Sequence, residues 1–208
     1  MSVHVKICGL TTVEDALAAW RGGADLLGFI FVDESPRHVQ PQQAAEIVHE
    51  LRQAGCDGPI VGVFAQTFMA DVARIADLVG IDMVQLHGDV TPDQAASVRR
   101  PVIVARRVRD SVPWDELVAY GAWAYLLDSH VAGKLGGTGH AWEYRLACEG
   151  RPPDVRLILA GGLDPGNVAD AVRAVRPWGV DVASGVEASP GRKDVLKTRA
   201  FIREAKGA

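Results

Sequence analysis

Val3-His4-Val5-Lys6-Ile7-Cys8-Gly9-Leu10-Thr11-Thr12-Val13-Glu14-Asp15-Ala16-Leu17-Ala18-Ala19-Trp20-Arg21-Gly22-Gly23 is one complete strand-turn-helix sentence. The alternating, β-branched run from Val3 to Cys8 has the period of a strand, and Gly9 breaks it. Thr12 then supplies a helix cap, Glu14 and Asp15 set negative charge against the positive end of the helix dipole, and the pattern is helical to Arg21. Gly22-Gly23 stops it with residues that tolerate a left-handed C-terminal cap. Cys8 sits where the strand gives way to the turn, the edge at which α/β folds bind ligands. A lone cysteine is equally well a small buried hydrophobe, so the rest of the chain has to decide its role.

The same sentence repeats along the whole length. Strands are expected at Val3 to Cys8, Leu26 to Phe31, Ile60 to Phe64, Met83 to His87, Val102 to Val108, Ala124 to Asp128, Leu157 to Ala160 and Val180 to Ser184. Helical periodicity follows each, at Thr12 to Arg21, Pro41 to Ala54, Ala70 to Val79, Pro92 to Arg99, Trp114 to Tyr120, Ala141 to Glu149, Asn167 to Val175 and Val195 to Lys206. Thr91-Pro92-Asp93 gives a cap, a first-turn proline and an acid, while Gly55, Gly80 and Gly121 mark helix ends. A doubly wound open sheet also alternates in this way. Eight units with a helix at the C-terminus favour closure, because a closed barrel leaves no strand edge to protect. The expectation is an α/β chain folded as a single-domain (β/α)8 TIM barrel over residues 1–208, with no linker or second domain.

Composition narrows the function. The 208 residues are 48% hydrophobic and carry 22 basic against 26 acidic side chains, a formal net charge of −4. That balance points away from nucleic acid and confines any anion site to a local patch. Three cysteines, Cys8, Cys56 and Cys148, without CxxC spacing, argue against a disulfide framework and a cysteine-rich zinc site. With no hydrophobic signal core and no run of eighteen apolar residues, the chain is expected to be cytoplasmic, unprocessed and free of membrane spans.

In a barrel, chemistry belongs at the C-terminal strand ends. There the sequence places Cys8, Arg37, His87, Arg106 or Arg107, Asp128, Gly161-Gly162 and Ser184-Gly185. Asp128 caps a loop or, with its pKa raised by burial, holds a proton for delivery. His87 positions a polar group of a ligand. Arg37, after the rigid Ser35-Pro36 turn, is a solvated charge or a fork for a carboxylate. The glycine turns after the seventh and eighth strands expose backbone N–H groups where such barrels bind phosphate. Gly133 to Gly139 reads as a lid.

Taken together, Lys6-Ile7-Cys8-Gly9, Leu27-Gly28-Phe29-Ile30-Phe31, Ser35-Pro36-Arg37, Val61-Gly62-Val63-Phe64, Gln85-Leu86-His87-Gly88, Gly136-Gly137-Thr138-Gly139, Leu159-Ala160-Gly161-Gly162-Leu163 and Ser184-Gly185-Val186-Glu187 closely resemble the phosphoribosylanthranilate isomerases. The likeness runs from residue 4 to about residue 194. It implies an Amadori rearrangement in tryptophan biosynthesis, on a phosphosugar substrate and without metal or organic cofactor. It further implies Asp128 as general acid and Cys8 as general base, with Lys6 favouring the thiolate from the same strand face. Lys6, Arg37, His87, Gly137, Gly161, Gly162, Ser184 and Gly185 form the expected substrate-binding set, with Arg37 on the anthranilate carboxylate. A monomer and a homodimer both stay open. The chain departs from the family at Trp142-Glu143-Tyr144, where an aromatic-Asp-Trp run is usual, a change that touches packing before chemistry. Other phosphosugar barrels, which pair two aspartates or use metals, fit less well than this cysteine. A catalytically silent phosphate-binding barrel is the alternative from outside the enzymes.

Overall fold

A computed structural model describes residues 3–108, 111–128 and 146–208. Eight parallel strands close into a barrel in chain order: β1 (His4–Cys8), β2 (Leu26–Ile30), β3 (Ile60–Ala65), β4 (Met83–His87), β5 (Val102–Arg107), β6 (Ala124–Asp128), β7 (Leu157–Ala160) and β8 (Gly179–Val182). Helices α1 (Val13–Arg21), α2 (Pro41–Gln53), α3 (Met69–Val79), α4 (Pro92–Ser97), α5 (Trp114–Val118), α6 (Val168–Val175) and α7 (Val195–Lys206) intervene, and residues 146–148 are helical between β6 and β7. β1 pairs with both β2 and β8, which decides for the closed barrel over the open sheet.

The expected caps form. Thr12 Oγ1 accepts from the Asp15 N–H, and Thr91 and Gln94 make a reciprocal capping box. Gly80 ends α3 in the left-handed conformation that glycine takes without steric cost. Each helix turns its apolar stripe onto the strands, in a shell that includes Phe29, Phe64, Leu51 and Phe201. Each large side chain so buried contributes about 1.5–3 kcal/mol of transfer free energy.

A second, smaller core fills the barrel itself, and its composition positions the site. Leu26, Val61, Met83, Ile103 and Ile158 face inward from the lower strand positions, with Trp123 and Trp178 packed against them. Two residues further along a strand the next inward position is reached, because side chains alternate. There the residues become polar: Gln85 and His87 on β4, Arg107 on β5, Asp128 on β6 and Asp181 on β8 line an open cavity. The lower barrel is therefore packed core and the C-terminal end is a polar cup.

One element lies outside the periodic pattern. After β8 the chain makes a short 3-10 turn at Ser184–Val186 and then a small antiparallel hairpin, β9 (Glu187–Ser189) against β10 (Arg192–Lys193). The eighth strand accordingly ends at Val182, two residues before the expected Ser184.

Candidate active site

The cavity at the C-terminal ends of the strands holds about 590 Å3 and is walled by Cys8, Arg37, His87, Arg107, Asp128, Gly161, Gly162 and Ser184 among others. Of the expected site residues, the polar strand-end set thus converges on one surface. Cys8 and Asp128 end β1 and β6 respectively, and β6 is the third strand round from β1. Arg107 stands opposite Asp128 in the β5–β6 register. Its neighbour Arg106 turns away, onto the Tyr120 hydroxyl at 2.6 Å, so alternation assigns the cavity-facing arginine to Arg107.

Beneath the thiol lies a buried ion pair. Lys6 Nζ donates to Asp181 Oδ1 at 2.9 Å, and its side chain is 1% exposed. The two residues are register partners across the β1–β8 seam. Burial works against the Lys6 ammonium, but Asp181 and the adjacent sulfur outweigh it and raise its pKa. Cys8 is 4% exposed. Burial drives its pKa up, Lys6 pulls it down, Asp181 pushes it up again, and the net result is a raised value. The expected help from Lys6 is thus present but smaller than the desolvation of the sulfur, and the resting group is the thiol. Lys6, expected to bind substrate, is engaged by Asp181. Room for this arrangement comes from β2: a Cβ on Gly28 would lie 2.9 Å from Cys8 Sγ.

His87 is a neutral imidazole. Burial first, and then the Lys6 charge, lower its pKa to about 4. Its Nε2 lies 2.6 Å from Gln85 Nε2. A neutral ring accepts there from the amide and carries its proton on Nδ1. Gln85 Oε1, buried, has no hydrogen-bond partner among the described residues. Gln85 was not among the expected site residues, although it stands in the Gln85-Leu86-His87-Gly88 motif two positions, and hence one inward step, before His87.

The glycine turns meet each other. Gly161 and Gly162 have φ of +90° and +65°, line the cavity, and lead through Asn167 into α6. The Asn167 amide donates to Gly162 O at 2.9 Å and so fastens the turn to the start of that helix. Gly185 stands where the loops after β7 and β8 approach each other. A Cβ there would fall 1.9 Å from Leu163 O, so it lets the loops after β7 and β8 touch, while Ser184 lines the cavity. Gly137, the Gly133 to Gly139 lid and Trp142-Glu143-Tyr144 lie outside the described residues.

Arg37 follows its turn, its N–H donating to Ser35 Oγ at 3.1 Å, and reaches the cavity wall. Its guanidinium is gripped from behind: Nε and Nη2 each lie 2.7 Å from the Glu187 carboxylate. Burial pushes the Glu187 carboxyl up, yet the bonds from Arg37 and the Lys193 ammonium hold it below the usual carboxylate range.

The model of the N-(5'phosphoribosyl)anthranilate (PRA) isomerase family matches residues 5–204. The chain belongs to this family. An N-(5'-phosphoribosyl)anthranilate isomerase of Geobacter sp. (strain M21) is 49% identical over 204 residues, 97% of each protein. The crystal structure of phosphoribosyl anthranilate isomerase from Thermotoga maritima superposes with a TM-score of 0.89 at 38% identity, covering 99% of this chain and 100% of that one. A phosphoribosyl anthranilate isomerase in complex with reduced 1-(o-carboxyphenylamino)-1-deoxyribulose 5-phosphate gives a TM-score of 0.84 at 36% identity, with the same coverage. Membership of the phosphoribosylanthranilate isomerases makes the chain an isomerase, and the fold it shares with them is the (β/α)8 barrel.

Proposed function

We propose that the chain serves tryptophan biosynthesis by converting N-(5-phosphoribosyl)anthranilate to 1-(2-carboxyphenylamino)-1-deoxyribulose 5-phosphate, with Asp128 as general acid and Cys8 as general base. The observation that carries this is the single cavity of about 590 Å3 in which a thiol, a carboxyl, an arginine and paired glycine turns all take part. An aldose-to-ketose rearrangement needs those parts: a proton donor, a proton acceptor, a hold on each anionic end, and a fixed distance between them.

Asp128 gives its proton to the furanose ring oxygen. The C1–O bond breaks, the anilino nitrogen supplies the electron pair, and an open-chain Schiff base results. The Cys8 thiolate removes the C2 proton, and the C–H electrons flow to the iminium nitrogen to give an enolamine. Tautomerisation of the enol at C2 produces the ketone. A thiol with a raised pKa offers a small thiolate fraction at neutral pH but a strong base when it forms, the usual exchange in general base catalysis. The phosphate lies against the backbone of Gly161-Gly162 and Ser184-Gly185, near the N-terminal end of α6. Arg37 receives the anthranilate carboxylate. His87, neutral, and Gln85 offer hydrogen bonds to the sugar hydroxyls between those ends. The similar phosphoribosyl anthranilate isomerase in complex with reduced 1-(o-carboxyphenylamino)-1-deoxyribulose 5-phosphate supports the same ligand class.

All three cysteines are free, Cys148 among them exposed, which fits a reducing cytoplasm. No helix of the described residues is long and apolar enough to cross a membrane. The purified protein, given freshly formed N-(5-phosphoribosyl)anthranilate, consumes its fluorescence in a protein-dependent reaction. Binding of the substrate without turnover would instead establish a silent phosphosugar-binding barrel.

A further inference from the structure

Behind Arg37 stands a buried cluster that the mechanism above does not use. The Glu187 side chain is 5% exposed, and that of Lys193, whose Nζ lies 3.1 Å from Glu187 Oε1, is 2% exposed. Glu187 begins β9 and Lys193 ends β10, so a two-stranded hairpin brings them together. Lys193 also donates through Nζ to Ala183 O at 2.9 Å and through its N–H to Asp15 Oδ2 at 3.0 Å, which ties the hairpin to the end of β8 and to α1. The Gly191 N–H adds a 3.3 Å contact to Glu187 Oε1. Of Arg37, Glu187 and Lys193, only Arg37 reaches the cavity wall.

The geometry of the fork has a chemical consequence. A guanidinium has five N–H donors and two edges that match a carboxylate in bidentate fashion. Glu187 takes the side edge, Nε with Nη2, in two bonds of 2.7 Å. The end edge, Nη1 with the second Nη2 proton, meets no acceptor among the described residues and is open to a ligand. The arginine stem is held as tightly as its head: Gly9, with φ of +73°, would place a Cβ 2.7 Å from Arg37 Cδ. Gly9 directly follows Cys8, so the stem of the arginine is registered against the turn that carries the thiol. Two cations share one carboxylate here, which leaves the trio one positive charge in excess, and that charge meets the cavity through Arg37.

We infer that Glu187 is the positioning residue for carboxylate recognition: by occupying the side edge of Arg37 it aims the end edge at the ortho-carboxylate of the aryl amine and so sets selectivity for carboxylated substrates. The inference rests on the proposal that Arg37 receives that carboxylate. A role confined to stability is a poor explanation of the cluster, since buried ion pairs return little net stability for the desolvation they cost.

The test measures affinity by calorimetry for reduced 1-(o-carboxyphenylamino)-1-deoxyribulose 5-phosphate and for the same compound lacking the carboxyl group, in wild type, Arg37→Ala, Glu187→Gln and the double variant. Glu187→Gln is expected to weaken the carboxylated ligand about 10-fold more than its decarboxy analogue, the scale of a charge-assisted hydrogen bond. In kinetics it raises KM and spares kcat, as loss of uniform binding does. On the Arg37→Ala background the same substitution adds nothing to the discrimination. If Glu187→Gln does not fold, Glu187→Asp carries the test, because it keeps the buried charge and withdraws the carboxylate by one methylene. Equal weakening of both ligands, or additive effects in the double variant, overturns the inference. If Arg37→Ala itself loses no discrimination, the carboxylate role of Arg37 falls and takes the inference with it, an outcome distinct from the first two.

Discussion

Burial and charge pull the Cys8 sulfur in opposite directions, and burial wins: desolvation outweighs the Lys6 ammonium beside it. The rate at which a small alkylating reagent modifies Cys8, followed on its own peptide by mass spectrometry, should therefore climb about tenfold per pH unit through neutrality as the thiolate fraction grows. His87, held neutral with a pKa near 4, adds no limb of its own between pH 5 and 8. A profile already flat at pH 7 would show that the thiolate is preformed. Residue identity at the strand ends was open to a reader of the sequence, because strand period and glycine turns put Cys8 and Asp128 at the rim. What those residues touch was not. Glu187 lies 150 positions from Arg37, and Asp181 lies 175 positions from Lys6, so neither pairing leaves a local trace. The one available signal was charge: Lys6 and Asp181 each interrupt an apolar strand, on the two strands that closure makes neighbours.

At the scale of elements, the loops after β7 and β8 behave as one unit because Gly185 lets them meet. Gly185→Ala would set a Cβ 1.9 Å from Leu163 O and must drive the two loops apart. The expected result is a KM for the phosphorylated substrate raised roughly 10- to 100-fold, the scale of a misplaced binding group, with far-UV circular dichroism unchanged. An unaltered KM would remove these loops from phosphate binding. The regular elements were legible because each spans enough residues to show its period. Met83–His87, Ala124–Asp128 and Leu157–Ala160 fall at the expected bounds. The β9–β10 hairpin was not, since strands of three and two residues carry no periodicity and their Gly191 turn follows directly on the glycine-rich stretch after β8. That hairpin delivers Glu187 to Arg37, so the part of the site hidden from the sequence is the part built by the shortest elements.

For the molecule as a whole, closure depends on the β1–β8 seam, and Lys6 and Asp181 face each other across it. Lys6→Met alone leaves the carboxylate without its cation and should cost about 3 kcal/mol of unfolding free energy. Lys6→Met combined with Asp181→Leu should recover most of it, because two apolar groups of similar volume replace a desolvated pair. Urea denaturation of the three proteins measures this, and a double variant no better than the single one would show that the seam needs the charges themselves. The same closure brings β1 and β6 to a common rim, on which the chemistry depends. The central claim is that Cys8 takes the C2 proton of a substrate whose ring Asp128 has opened. It is tested most directly by the rate at which folded Cys8→Ala consumes N-(5-phosphoribosyl)anthranilate fluorescence, with Asp128→Asn beside it. A loss of roughly 10²- to 10⁴-fold or more in each, with unfolding midpoints near that of the parent, is the predicted result. Near-parental turnover by Cys8→Ala would contradict it.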